Sequence, residues 1–97
     1  MLLIVVASAS AQTATVRGFI TDASDGQPLP GVNVILTDAN GGLSGAATDT
    51  DGFYGISRIE PGKYQMKASF VGFKDFERDI TLVGSEIQTI NIEMEIE

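Results

Sequence analysis

Between Thr13 and Glu97, apolar side chains recur at every second position in a series of short runs, and no eleven-residue window sustains a helical apolar face. A period of two puts successive side chains on opposite faces of an extended strand, one to bury and one to leave in water. The last run is the clearest: Ile90, Ile92, Met94 and Ile96 alternate with Asn91, Glu93, Glu95 and Glu97. Earlier runs repeat it. Thr13–Thr21 sets Ala14, Val16, Gly18 and Ile20 against Thr15, Arg17, Phe19 and Thr21. Val32–Thr37 sets Val32, Val34 and Leu36 against Asn33, Ile35 and Thr37. Ala46–Thr48 is a short candidate strand, and Phe53–Ile56 directs Tyr54 and Ile56 inward and Phe53 outward. Lys63–Val71 directs Tyr64, Met66, Ala68 and Phe70 inward, while Phe76–Leu82 carries Phe76, Ile80 and Leu82 with Arg78 breaking the stripe.

Turn residues separate the runs. Asp25-Gly26, Asn40-Gly41-Gly42, Asp51-Gly52 and Pro61-Gly62 supply residues that accept the backbone angles of tight turns. Pro28 and Pro30 flank Leu29 in a stretch that cannot be a central strand, because proline lacks the ladder donor. Six to seven short strands with no helix predict an all-β fold, an antiparallel β-sandwich of two sheets.

Composition narrows the chemistry. The chain has no cysteine and no histidine, so it has no disulfide framework, no thiolate metal site and no histidine to act as general base. Its net charge of −7 and scattered basic residues argue against nucleic acid and anionic lipid, which need clustered Lys and Arg. The densest acidic cluster, Asp49-Thr50-Asp51-Gly52 with Glu60 beyond it, has the first and last carboxylates of a helix–loop–helix calcium loop. Phe53 and Tyr54 stand where such a loop needs an oxygen ligand and a glycine, so a hairpin turn capped by Asp side chains is the better reading. Pairs of carboxylates are too numerous to single out a glycosidase site, and Glu93, Glu95 and Glu97 belong to a solvated face. No catalytic, metal or cofactor-binding residue is expected. Three aromatics, Phe19, Phe53 and Phe73, fall on outward faces or beside a strand break and form a candidate interaction surface.

The first eleven residues differ from the rest. Leu2–Val6 is an apolar run followed by Ala7-Ser8-Ala9 and Ala9-Ser10-Ala11, the pattern that ends a secretory signal peptide. Residues 1–11 are therefore expected to be a leader remnant, truncated because no basic start precedes it, with cleavage before Gln12 and a domain over 12–97. A buried first strand is the alternative, and the run is too short to span a membrane.

Five ordered motifs carry a resemblance. They are Val16-Arg17-Gly18-Phe19-Ile20-Thr21-Asp22, Gly26-Gln27-Pro28-Leu29-Pro30-Gly31-Val32-Asn33-Val34, Ala47–Tyr54, Ile59–Tyr64 and Ser69-Phe70-Val71-Gly72-Phe73. In that order they resemble the carboxypeptidase regulatory-like domain, a transthyretin-like Greek-key β-sandwich. The resemblance implies a non-catalytic module, and the form with Ser-Phe-Val-Gly-Phe implies the N-terminus of a TonB-dependent outer-membrane receptor. Its partners would be periplasmic proteins or the rest of the same receptor chain, with membrane association only through downstream parts. The alternatives are a secreted module binding carbohydrate or another surface polymer, and the non-catalytic domain of a secreted carboxypeptidase.

Overall fold

Eight strands and no helix make up residues 12–97, the part that the computed structural model describes; the expected leader lies outside the described residues. In chain order they are β1 (Ala14–Asp22), β2 (Asn33–Asp38), β3 (Leu43–Ala47), β4 (Phe53–Ile59), β5 (Gly62–Ser69), β6 (Phe76–Leu82), β7 (Ile87–Thr89) and β8 (Ile92–Met94). One sheet is ordered β4-β1-β7, with β8 also on β1; the other is ordered β3-β2-β5-β6. This is the all-β sandwich that the alternation predicts. Most pairs are antiparallel, but β7 and β8 run parallel to β1.

Alternation decides which side chains meet. Val34, Leu36, Met66 and Ala68 from one sheet, and Val16, Ile20, Tyr54 and Ile92 from the other, are almost fully buried in one cluster. Burying one such side chain contributes roughly 1.5–3 kcal/mol, in a domain whose net stability is on the order of 5–10 kcal/mol. Leu29, between its two prolines, packs against that cluster from the β1–β2 connection.

Some boundaries differ from expectation. The short strand expected at Ala46–Thr48 begins earlier, at Leu43, and stops before Thr48. The Thr48 hydroxyl instead donates to the Leu29 carbonyl and accepts the Val32 amide at 2.9 Å, which ties the proline loop to the core. Thr48→Val is expected to leave both backbone groups without that partner and lower stability by about 1–3 kcal/mol; denaturant melts at constant m-value would measure it.

The strand expected at Phe53–Ile56 continues to Ile59 through a bulge. Ala14 pairs with Ile59 but Val16 with Ile56, so β4 carries one extra residue there. Arg58 takes up the excess at a φ of 59°, a region that disfavours any residue with a Cβ. Arg58→Gly is expected to raise stability by about 0.5–1 kcal/mol through relief of that strain, read as a higher melting temperature.

The terminal run expected as one inward strand is divided. Ile90, Ile92 and Met94 are buried, but Ile96 is 57% exposed and forms an isolated bridge with Phe73. Past Met94 the chain leaves the sandwich to pair with the β5–β6 connection, so parity with the core no longer applies. Ile87–Thr89 is an additional strand, with Ile87 outward and Gln88 on the inward side.

Candidate functional site

The central strand β1 positions the outer aromatic face. Phe19 lies directly across from Phe53 on β4, and their rings meet edge to face with centroids 5.3 Å apart. Cross-strand aromatic pairs of this geometry add roughly 0.5–1.5 kcal/mol beyond the area they cover. Phe53 also lies over Gly55, two residues along the same face, so its ring covers backbone that no side chain would otherwise shield. Phe19 remains half exposed. The pair therefore both braces the sheet and presents apolar surface.

Behind that face the ladder between β1 and the terminal strands is interrupted without loss of register. Thr89 pairs with Arg17 and Ile92 with Ile20. Between them the Ile90 amide donates to the Arg17 carbonyl at 2.8 Å, while the Ile90 carbonyl accepts the buried Tyr54 hydroxyl at 2.6 Å. The Phe19 amide then donates to the Asn91 side-chain oxygen at 2.9 Å. Gly18 makes the arrangement possible: a Cβ there would stand 2.7 Å from the Ile90 carbonyl carbon and closer still to its oxygen. Burial pushes the Tyr54 hydroxyl well above the ordinary tyrosine pKa, with Arg78 offsetting part of the rise, so Tyr54 stays a neutral donor.

Phe73 does not join the other two. It packs on Phe70 with centroids 5.8 Å apart, in the connection between β5 and β6. Around it Val71 is almost wholly exposed, and Glu97 donates its amide to the Gly72 carbonyl at 3.0 Å. The sequence thus singles out three aromatics, and the structure divides them between a sheet face and a loop.

The acidic residues close turns. The Asp49 carboxylate accepts the amides of Asp51 and Phe53 at 2.9 and 3.0 Å, the capped hairpin expected there. Asp38 does the same for Asn40 and Gly42, and Asp22 and Asp25 cap the turn after β1. Among the described residues, no three acidic side chains converge as a metal-holding group. At the far end of the other sheet, Tyr64 donates to the Glu60 carbonyl at 2.6 Å; partial burial, then Asp38 and Glu60, raise its pKa.

Polar groups engaged in turns, an apolar inter-sheet core and apolar residues left on one sheet face and one loop define a class: an antiparallel-dominated β-sandwich domain. The chain belongs to the carboxypeptidase regulatory-like domain family, whose model matches residues 15–95. It is 36% identical over 72 residues, 74% of its length, to the TonB-dependent receptor P3 of Formosa agariphila. It is 33% identical over 89 residues, 90% of its length, to the TonB-dependent transporter Oar of Myxococcus xanthus. The chain spans only 7% and 8% of those two relatives. In fold it is similar to BcpA, the major pilin subunit of Bacillus cereus, with a TM-score of 0.74 at 16% identity, over 89% of this chain and 31% of that one.

Proposed function

We propose that this chain is a non-catalytic accessory domain of an exported TonB-dependent outer-membrane receptor, held on the periplasmic side and acting by protein contact. Sequence similarity to two TonB-dependent proteins over most of the chain is the observation that carries this reading. The fold agrees with it, because the hydroxyls and carboxylates resolved in hydrogen bonds hold turns and strand junctions. No helix among the described residues is long and apolar enough to cross a membrane, so membrane attachment would come from other parts of the receptor, including strands of a barrel. Substrate passage would likewise belong to those parts.

Fractionating cells that express the complete gene tests the proposal. The expected result is a product in the outer membrane, with this domain cleaved by a protease admitted to the periplasm and protected in intact cells. A full-length product found only in the soluble fraction would remove the receptor reading.

A further inference from the structure

Among the described residues, three of the four lateral edges of the sandwich carry features that discourage another strand from pairing with them. The β6 edge presents Glu77, Arg78 and Asp79. The β7–β8 edge is broken at Ile90–Asn91 and carries Glu93. The β4 edge is distorted by the bulge at Arg58. The fourth edge, β3, reads Leu43-Ser44-Gly45-Ala46-Ala47, with no charge, no proline and no break in its register with β2.

Its hydrogen-bonding parity follows from the residues that bound it. Asp38 donates to the Gly42 carbonyl and Thr48 to the Val32 carbonyl, so Gly42, Ser44, Ala46 and Thr48 turn their backbone groups toward β2. Leu43, Gly45 and Ala47 therefore turn theirs outward, and among the described residues no strand pairs with that side. Leu43 is 70% exposed beside them.

We infer that the outer edge of β3 is a docking edge for an extended segment of a partner protein, uncharged along its length and bearing lysine or arginine at its ends. Strand addition supplies the affinity through main-chain hydrogen bonds at Leu43, Gly45 and Ala47. Charge selects the partner. Asp38 and Glu60 share with Leu43 and Ser44 an open notch of about 290 Å³, where Arg58 is the one cation among the lining residues. Asp49 and Asp51 follow the other end of the strand. A second copy of this chain fits poorly: antiparallel pairing about Gly45 would set Asp49 and Asp51 of one copy near Asp38 and Glu60 of the other. Each copy also carries a net charge of −7. This inference goes beyond the receptor proposal and stands without it; a soluble full-length product would remove that reading and leave the edge as it is.

The test uses the whole chain and a capped synthetic peptide, Lys-Thr-Val-Ser-Val-Thr-Lys, at low salt, followed by amide chemical shifts. Saturable shifts are expected at Leu43, Gly45 and Ala47. A peptide with glutamate at both ends, and one with backbone N-methyl groups on alternate amides, should each bind at least about tenfold more weakly. Ala47→Pro removes only an outward donor, which an edge strand tolerates, and should weaken the basic peptide by a similar factor at unchanged melting temperature. The N-methyl peptide gives the same comparison on the unaltered protein if that variant does not fold. Shifts confined to β6 or to the Phe19–Phe53 face, equal binding of the N-methyl peptide, or no saturation at millimolar peptide would overturn the inference. So would a concentration-dependent dimer that Ala47→Pro abolishes, since it would assign the edge to a second copy.

Discussion

Gly18→Ala is expected to destabilise the domain by at least about 3 kcal/mol, a large part of its total stability. The new methyl group would occupy the space of the Ile90 carbonyl, a backbone group with no free end to swing aside. If the carbonyl moves, its bond to the Tyr54 hydroxyl goes with it, and the Asn91 side chain loses its alignment with the Phe19 amide. Overpacking elsewhere in cores typically costs about 1–3 kcal/mol because side chains can shift; here a main-chain atom of the terminal strand is the obstacle. Urea unfolding of wild type and variant at matched m-value measures the difference. A loss below about 1 kcal/mol would mean that the β7–β8 junction is far more compliant than its hydrogen bonds imply.

Tyr54→Ala should cost about 3–5 kcal/mol, since it empties a fully buried aromatic site and also leaves the Ile90 carbonyl without its donor. Tyr54→Phe separates the two effects: the ring remains, the hydroxyl goes, and about 1–3 kcal/mol is expected to be lost. The same hydroxyl gives the domain an alkaline limit. Its folded pKa lies above the unfolded value of about 10. The stabilisation is therefore fully present below pH 10 and is lost as pH rises toward the folded value. Melting temperature should fall above pH 10 in the wild type and fall less steeply in Tyr54→Phe, with Tyr64 contributing the remaining tyrosine titration. Parallel pH profiles for the two proteins would remove the alkaline role of Tyr54.

The inward stripes were legible because, inside a paired strand, parity selects the face that is buried. Val34, Leu36, Met66 and Ala68 could be assigned to the core from their spacing, and all four are buried. The Asp49 turn was legible too, as the chemistry of an Asp–Gly hairpin is local. Strand partners were not. Nothing in Ile87-Gln88-Thr89 states that it lies parallel to β1, and its apolar residue faces outward, which hides the strand from a search for buried stripes. The alternation makes Gly18 one more inward position, whereas its role is to be empty where Ile90 approaches from 72 residues away. For the candidate surface, the outward parity of Phe19 and Phe53 was visible, but only register makes them neighbours. Phe73 has no such register to share. Its companions are Phe70, set by a turn, and Ile96, set by where the chain leaves the sandwich.

Because β8 follows the direction of β1, the chain enters the first sheet near Ala14 and leaves it beside Asp22, roughly 25 Å further along at the rise of a strand. Tension applied through the two ends would load the bonds of the β1–β7 and β1–β8 ladders together, in shear, rather than peel them one after another.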